Sequence, residues 1–185
     1  MLTVDFSEFP VLRTSRLSLR EMTSADAPAL FRMRSDARVM EHIGRPHATT
    51  LQDAMDLIDR ITADRAANAG MTWAMQLHDT PLLIGTIGFY RLKLDHHTAE
   101  IGYMLDADHW GKGLMSEALE AAVRCGFDRY RFHRTEAITD PRNSASRKVL
   151  EKCGFTLEGI QKENYLWNGE FQDSTIYGRL RDGAL

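Results

Sequence analysis

Hydrophobic positions recur every second residue in some segments of the chain, as in strands, and every three or four residues in others, as in helices. The first pattern predicts about seven strands, near residues 16–21, 71–77, 82–90, 98–105, 135–139, 155–165 and 171–180. The second pattern predicts about four helices, near residues 24–36, 51–69, 115–127 and 144–153. This order is typical of a mixed α/β domain with a mostly antiparallel sheet and one parallel β-α-β step.

Local signals refine several of these elements. Thr23 and Thr50 each precede an aspartate by three residues, which is the spacing of a capping box at the start of a helix. The second helix is expected to bury one apolar stripe, formed by Leu51, Met55, Ile58 and Ile61. Residues 82–90 are apolar on both faces, which favours a strand in the middle of the sheet. The pair Asn168-Gly169 indicates a hairpin turn between the last two strands.

Composition and charge narrow the class of protein. With 185 residues, 43% of them hydrophobic, the chain has the size and composition of one globular domain, spanning residues 1–185 with a core of about 13–180. Its net charge of −3 gives no basic surface for nucleic acid. No segment approaches the roughly 18 apolar residues of a membrane span, and the N-terminus lacks the pattern of a signal peptide. A soluble, cytoplasmic protein without a nucleic-acid or membrane partner is therefore expected.

Cysteine and histidine side chains indicate no metal site. Cys125 and Cys153 lie in segments with the helical pattern and are expected to be buried as small hydrophobic residues. The seven histidines show no metal-ligand spacing. No metal cofactor is therefore expected.

The first candidate for chemistry is the segment from Leu105 to Glu117, where a strand ends, a turn with two glycines follows and a helix begins. Glycine permits positive φ and close approach of a ligand to the backbone. The N–H groups of a first helical turn have no intrahelical partner, and with the helix dipole they form an anion site. Lys112 can add a positive charge. The segment lacks Walker A spacing, and Ser116 stands where a dinucleotide fingerprint has its third glycine. A capped turn without a ligand is the alternative interpretation.

A second candidate segment runs from Asp140 to Phe155, directly after the strand at 135–139. Asn143 is a good N-cap for the helix that follows, and Ser146 lies in the first turn of that helix. Helix capping alone explains the asparagine, and an exposed hydroxyl is unexceptional in a first turn. These two residues therefore do not identify a ligand by themselves.

Considered together, the two segments and their surroundings make the chain resemble a GNAT acyltransferase, and particularly the ribosomal-protein N-terminal acetyltransferases. The resemblance covers nearly everything from Arg13 to Leu180. It is carried by six motifs in order: T-x-R-L-x-L-R (14–20), I-G-x-I-G-F (84–89), A-E-I-G-Y-x-L (99–105), W-G-K-G-L-M-S-E-A (110–118), N-S-A-S-R-K-V-L-E-K-C-G-F (143–155) and W-N-G-E-F-Q-D-S-T-I-Y (167–177). In the family's loop pattern Gln/Arg-x-x-Gly-x-Gly/Ala, Gly113 matches the central glycine, whereas Trp110 and Met115 depart from the first and last positions.

The resemblance implies a GNAT fold, in which the sheet splays open to form a cleft for CoA, and acetyl transfer from acetyl-CoA to a primary amine by direct attack. It also implies a set of cofactor-binding residues: Met104, Leu105, Trp110, Gly111, Lys112, Gly113, Leu114, Met115, Ser116, Asn143 and Ser146. A backbone N–H near Met104 or Leu105 is expected to polarise the thioester carbonyl. Ser146 is the candidate acid for the leaving thiolate, and Tyr177 is the alternative.

Glu100 is the candidate general base, because it is a carboxylate on a strand that is otherwise mostly apolar. A solvent-exposed charge at the sheet edge is its alternative interpretation. The demand on the base depends on the acceptor. At pH 7, the neutral form costs about 1.4 kcal/mol for an α-amine and about 4.6 kcal/mol for a lysine. An α-amine therefore needs a strong base much less than a lysine does.

The expected acceptor is the N-terminal α-amine of a peptide or protein, and the resemblance also suggests a homodimer. A polyamine or an aminoglycoside is an alternative acceptor. A CoA-binding sensor without turnover and a nucleotide-phosphate-binding protein are alternatives of other classes, although the asparagine–serine segment favours CoA over a nucleotide. Four aromatic residues are expected either to line the acceptor cleft or to pack in the core, namely Trp73, Tyr90, Trp167 and Phe171.

Overall fold

The computed structural model describes residues 1–182, and its strands form one open sheet of eight. The strands are β1 (Leu12–Arg13), β2 (Leu17–Arg20), β3 (Met71–Leu77), β4 (Leu83–Lys93), β5 (Thr98–Leu105), β6 (Arg134–Thr139), β7 (Thr156–Trp167) and β8 (Glu170–Leu180). Their order across the sheet is β1-β2-β3-β4-β5-β6-β8-β7. Strands β5 and β6 pair in parallel, and the other neighbours in the described chain pair antiparallel. The predicted mixed α/β fold with its parallel step is confirmed.

Within the described residues, five α-helices pack on the sheet, namely α1 (Ala27–Ser35), α2 (Ala37–Met40), α3 (Leu51–Ala66), α4 (Leu114–Asp128) and α5 (Ser144–Lys152). Helices α4 and α5 contribute to the larger core cluster, which contains Trp73, Phe89 and Ile101 of the sheet. Helices α1 to α3 pack in a smaller cluster around Leu30 and Ile58. Alternate residues of a strand point to opposite faces, so neighbouring residues of β5 contribute to different clusters.

The local signals in the sequence are largely confirmed. The Asp53 carboxylate accepts from the Thr50 N–H at 2.9 Å, and the Thr50 hydroxyl accepts from the Asp53 N–H at 3.3 Å. The residues of the last hairpin turn, Asn168 and Gly169, have φ values of 49° and 81°. Both cysteines are buried. Within residues 1–182, every helix is too short or too polar to cross a lipid bilayer.

Two details differ from the predictions. The short strand β1 and the one-turn helix α2 are additional, because two to four residues are too few to give a periodic signal. The buried stripe of α3 is also rotated: Ala54 and Ile58 are buried, whereas Leu51 and Met55 are 45% and 39% exposed. Helix α3 packs in the same cluster as α1, and the small side chain of Ala54 permits that approach.

Strands β5 and β6 separate soon after they begin to pair. Their pairing stops after three residue pairs, the last of which is Glu100 with Glu136. Beyond this point residues 101–105 stay paired with β4, and residues 137–139 stay paired with β8. The sheet therefore opens into a V-shaped gap between β5 and β6, which we call the cleft. The predicted splay of the sheet is confirmed.

Candidate active site

The register of β4 and β5 determines which backbone groups face the cleft. In an antiparallel pair, alternate residues exchange hydrogen bonds with the partner strand and the residues between them point away from it. The Asp106 N–H donates to the Ile84 carbonyl at 2.8 Å. Two residues earlier, Met104 is paired with Thr86 in the same unbroken register. Even-numbered residues at this end of β5 therefore direct their N–H groups toward β4.

It follows that the N–H groups of Tyr103 and Leu105 point into the cleft. The Met104 N–H is turned toward β4, and the Met104 side chain is buried in the cluster formed with α1 to α3. Of the two predicted donors to a thioester carbonyl, Leu105 has the orientation that the role requires and Met104 does not. The Tyr103 N–H has the same orientation as that of Leu105 and was not among the predicted donors.

The turn after β5 is held by hydrogen bonds of its own side chains. The buried carboxylate of Asp106 accepts from the Asp108 N–H at 3.0 Å and forms an ion pair with Arg32 at 2.7 Å. Burial opposes ionisation, but these two partners lower the pKa of Asp106. The indole Nε1 of Trp110 donates to the Leu105 carbonyl at 2.9 Å, so the ring folds back toward the end of the strand. These contacts therefore fix the conformation of the turn without a ligand.

A row of free backbone donors follows this turn. The first backbone hydrogen bond of α4 runs from the Glu117 N–H to the Gly113 carbonyl, at 3.2 Å. Within the described part of the chain, the N–H groups of residues 111–116 have no acceptor. Gly111 and Gly113 both have a φ of +73°, and a Cβ built on Gly111 would have no neighbour within 4 Å. Unbonded N–H groups at a helix N-terminus, beside open space, fit the phosphate groups of a CoA molecule.

The side chains of this segment contribute less than its backbone. Leu114 and Met115 are 3% and 6% exposed and belong to the larger core cluster, so only their N–H groups face the turn. Ser116 is half-buried, and its carbonyl accepts from the Cys153 thiol at 3.4 Å. The exposed Lys112 ammonium donates to the Asp108 carbonyl at 2.8 Å. The departures of Trp110 and Met115 from the family's loop pattern therefore leave the row of backbone donors intact.

Glu117 connects this turn to the N-terminal part of the chain by hydrogen bonds. The Glu117 carboxylate accepts from the Thr14 hydroxyl at 2.5 Å, the Arg16 N–H at 2.8 Å and the Arg16 Nε at 2.7 Å. Burial alone would raise its pKa, but the hydrogen bonds from Thr14 and Arg16 lower the pKa of Glu117 to about 2. Arg16 also donates to the Lys112 carbonyl at 2.9 Å. We call Thr14, Arg16 and Glu117 the brace of the turn.

Helix α5 brings the second candidate segment to the cleft. The Asn143 Oδ1 accepts from the Ser146 N–H at 2.9 Å, so the expected helix cap is present. The Ser146 hydroxyl lies 2.9 Å from the Tyr103 hydroxyl. Tyr103 belongs to β5 and Ser146 to the helix after β6, so this hydrogen bond bridges the two sides of the cleft. Burial raises the pKa of Tyr103, which therefore stays protonated at neutral pH.

Glu100 lies where the cleft begins, in the last residue pair shared by β5 and β6. It is buried, and both of its carboxylate oxygens accept from the Arg91 Nη1, at 2.8 and 2.9 Å. The alternative interpretation of Glu100, a solvent-exposed charge at the sheet edge, is therefore wrong, whereas its partner Arg91 is 60% exposed. To accept a proton, the Glu100 carboxylate would exchange its contact with Arg91 for a contact with water or with the amine.

Tyr177 is fully buried, and its hydroxyl is already engaged. It donates to the Glu151 carboxylate at 2.9 Å and accepts from the Arg147 Nε at 3.1 Å. Both partners belong to α5. Among the described hydrogen bonds, Ser146 contacts Tyr103 on β5, whereas the Tyr177 hydroxyl contacts only residues of α5.

Further aromatic and polar groups surround the side of the sheet that carries Glu100. A Cβ at Gly102 would collide with the Tyr90 hydroxyl, so the Tyr90 side chain crosses β5 at this glycine. Burial, and next the charge of Glu100, raise the pKa of Tyr90 to about 12. The His42 Nδ1 lies 3.6 Å from the Asp140 carboxylate at the end of β6. We call the side chains of Tyr90, Glu100, His42 and Asp140 the acceptor wall.

The other aromatic candidates lie elsewhere. Trp73 is fully buried in the core, where its Nε1 donates to the Pro10 carbonyl at 2.8 Å. Trp167 and Phe171 lie in the β7–β8 hairpin, and Phe171 is 64% exposed. No group of three metal-ligating side chains comes together within residues 1–182.

Sequence reasoning missed the brace and the Tyr103–Ser146 contact. The T-x-R-L-x-L-R and W-G-K-G-L-M-S-E-A motifs were both visible, but nothing in one chain indicates that Arg16 and Glu117 meet across about a hundred residues. Tyr103 lies in the predicted strand at 98–105, and the pattern of a strand does not indicate a contact with a helix 43 residues later. Only the separation of β5 from β6 explains why its hydroxyl reaches α5.

Comparisons with known proteins agree with this geometry. Residues 16–156 match the family model described as an acetyltransferase (GNAT) domain. An uncharacterized N-acetyltransferase of Bacillus subtilis, YoaA, is 36% identical over 173 residues, which are 94% of this chain and 98% of that protein. The ribosomal-protein-serine acetyltransferase of Escherichia coli is 36% identical over 100 residues, which are 54% of this chain and 56% of that protein. A GNAT-family acetyltransferase from Bacillus anthracis superposes with a TM-score of 0.83 and 27% identity, covering 92% of this chain and 98% of that one.

Proposed function

Because the chain belongs to the GNAT acetyltransferase family and is therefore an N-acetyltransferase that uses acetyl-CoA, we propose that its acceptor is the N-terminal α-amine of a peptide or protein. The similarity to a ribosomal-protein-serine acetyltransferase supports this choice of acceptor. The observation that carries the donor side of the proposal is the row of unbonded N–H groups at residues 111–116, next to an open cleft. We propose that the enzyme acts in the cytoplasm.

Backbone groups would form most contacts with the diphosphate and the pantetheine arm of the donor. The N–H groups of residues 111–116 would bind the diphosphate, because each lacks another acceptor. The pantetheine arm would then lie along the unpaired edge of β5 and use the cleft-facing backbone groups of Tyr103 and Leu105. Asn143 caps α5 with its Oδ1 and keeps its amide N–H₂ available for a contact with the same arm.

The acetyl carbonyl would accept a hydrogen bond from the Leu105 N–H. A donor aimed at the developing oxyanion contributes typically about 3–4 kcal/mol to the lowering of the barrier. The Ser146 hydroxyl would protonate the departing thiolate. Its hydrogen bond with Tyr103 supports this role, because a protonated phenol 2.9 Å away can resupply the proton.

Glu100 would accept the proton of the attacking amine, directly or through one water molecule. An α-amine needs only about 1.4 kcal/mol to reach its neutral form at pH 7, so a carboxylate that is partly neutralised by Arg91 suffices. A lysine acceptor would need about 4.6 kcal/mol. The arrangement of Glu100 therefore favours an α-amine.

A thiol-release assay tests the proposal. The acceptors are short peptides with a free N-terminal serine or alanine, the same peptides with a blocked N-terminus and an internal lysine, spermidine and an aminoglycoside. We expect free CoA thiol only, or far fastest, with the free N-terminal peptides. Thiol release with spermidine or the aminoglycoside alone would replace the proposed acceptor by a small amine. Release with none of them would refute the proposed reaction.

A further inference from the structure

Strand β4 has a bulge near its end, opposite Glu100. Its pairing with β5 shifts between Tyr90 and Lys93, and Arg91 has a positive φ of 47°. Side chains of a regular strand alternate between its two faces, and a bulge interrupts this alternation. Tyr90 and Arg91 therefore both reach the same face of β5, where Arg91 bonds to Glu100 and Tyr90 covers Gly102.

The Tyr90 hydroxyl lies where a Cβ on Gly102 would be. Such a Cβ would lie 2.6 Å from the Tyr90 Cζ and 3.0 Å from its Cε1, and it would overlap the hydroxyl oxygen. Any side chain on residue 102 would therefore displace the phenol. Gly102 permits the hydroxyl to lie directly on the backbone of β5.

The Tyr90 hydroxyl has no hydrogen-bond partner within residues 1–182. Glu100 lies on the same face, but both of its oxygens are bonded to Arg91. The hydroxyls of Tyr103 and Tyr177, on the opposite face, are bonded as well. The Tyr90 hydroxyl is thus a polar group beside Glu100 that is available to a ligand.

The hydroxyl is the deeper end of a partly exposed side chain. Tyr90 is 38% exposed, yet burial is the main cause that raises its pKa to about 12, followed by the charge of Glu100. The charges of Arg91 and Arg45 lower this pKa only in part. The phenol therefore keeps its proton at pH 7. A buried hydroxyl without a partner costs free energy, which a hydrogen bond to a ligand would offset.

Along β5, the hydroxyl lies between the two groups assigned to the reaction. A strand rises about 3.3 Å per residue, so residue 102 is about 7 Å from Glu100 and about 10 Å from Leu105. The attacking nitrogen must approach the carbonyl that the Leu105 N–H would bind, and its proton must reach Glu100. One direct contact cannot span this interval, in which the Tyr90 hydroxyl lies.

We propose that the Tyr90 hydroxyl binds the amine of the acceptor, accepting a hydrogen bond from its N–H and holding the nitrogen between Glu100 and the thioester. The proposal rests on the proposed function, since it adds a binding residue to the same reaction. The tyrosine itself neither gains nor loses a proton. The proton of the amine would pass to Glu100 through a water molecule.

Two peptides that differ only in the amine test the proposal. One begins with a free N-terminal serine, and in the other a hydrogen atom replaces the α-amine of that serine. Binding of each to the enzyme saturated with CoA is measured by fluorescence anisotropy, with the dye at the C-terminus. The original protein should bind the free-amine peptide more tightly, because at pH 7 most of this amine is charged and its hydrogen bonds are charge-assisted.

The variant Tyr90→Phe keeps the ring over Gly102 and removes only the hydroxyl. It should bind the free-amine peptide about tenfold more weakly, as expected for the loss of a hydrogen bond to a charged group, and bind the other peptide unchanged. Its melting temperature and its KM for acetyl-CoA should stay nearly unchanged. Tyr130→Phe is the matched control, because the Tyr130 hydroxyl donates to the Met71 Sδ in the core, at 3.5 Å.

A second variant tests the contact with Gly102. Gly102→Ala should displace the hydroxyl and reduce the preference for the free-amine peptide, and adding Tyr90→Phe should then reduce it no further. Effects that multiply in the double variant would contradict the proposed position of the hydroxyl.

Equal binding of the two peptides to the original protein, or an equal loss for both peptides in Tyr90→Phe, would overturn the proposal. If the free-amine peptide binds through Tyr90 but no CoA thiol is released with acetyl-CoA, the proposed reaction is wrong and the assignment of the hydroxyl stands, because the binding measurement does not depend on turnover.

Discussion

Replacing Glu117 by glutamine should reveal how strongly the brace holds the turn that precedes α4. The substitution keeps the shape of the side chain and removes its charge. It converts the charge-assisted hydrogen bonds from Thr14 and Arg16 into neutral ones, and it directs an amide N–H₂ toward groups that are themselves donors.

The expected magnitude follows from the pKa of Glu117. A shift from 4.5 in the unfolded chain to about 2 in the folded protein corresponds to an upper limit of about 3.4 kcal/mol in the free energy of unfolding. The Arg16 side chain is 47% exposed, so solvent screens part of this interaction. We therefore expect Glu117→Gln to lower the free energy of unfolding by about 2 kcal/mol at pH 7 and the melting temperature by about 4–8 °C.

The pH dependence gives the sign of the effect. Because folding depresses the pKa of Glu117, its stabilisation is complete above about pH 4.5 and is lost as the pH falls toward 2. Urea unfolding of the original protein and the variant at pH 7, 4 and 3 should show a difference that is largest at pH 7 and shrinks at pH 3. Glu120→Gln, one turn further along α4, is a useful comparison, because Glu120 pairs with Arg179 and not with the turn.

The same variant should also weaken acetyl-CoA binding, since Arg16 is bonded to the Lys112 carbonyl within the turn. If the Glu117→Gln protein is as stable as the original at pH 7, or loses equal stability at pH 7 and pH 3, the ionised Glu117 does not stabilise the turn.

Three further substitutions test other parts of the site. Ser146→Ala should reduce kcat about tenfold or more and change the KM of acetyl-CoA little, because the hydroxyl bonded to Tyr103 is assigned to the leaving thiolate; unchanged turnover in steady-state kinetics would remove it from the mechanism. Glu100→Gln should reduce kcat more at pH 6.5 than at pH 9, where an α-amine is already neutral; an equal loss at both values would argue for a structural role. Gly113→Ala should cost about 1 kcal/mol of stability, because φ is +73°, and should raise the KM of acetyl-CoA; a variant with unchanged KM would show that the turn does not shape the donor site.

Periodicity and turn chemistry predicted most of the fold correctly. The start of α3 at Thr50, the interior strand β4 and the Asn168-Gly169 hairpin all depend on residues within a few positions of one another. Such signals are contained in a short window of sequence. Strand β1 and helix α2 were missed because two and four residues are too few for an apolar pattern to repeat.

The parts of the site that the sequence could not predict depend on contacts between distant segments. Identifying Leu105, and not Met104, as a residue whose N–H points into the cleft required the register between β4 and β5, which local alternation does not fix. The burial of Glu100 could be predicted only with knowledge of its ion pair with Arg91, nine residues earlier.

In the proposed mechanism, the N–H groups of residues 111–116 bind the diphosphate of the acetyl donor. Two-dimensional ¹H–¹⁵N spectra of the protein, recorded during titration with CoA and separately with pantetheine, test it most directly, because pantetheine lacks the diphosphate. We expect CoA to move the amide signals of residues 111–116 strongly downfield and pantetheine to leave them nearly unchanged. CoA binding that leaves these six amides undisturbed would contradict the proposed mechanism.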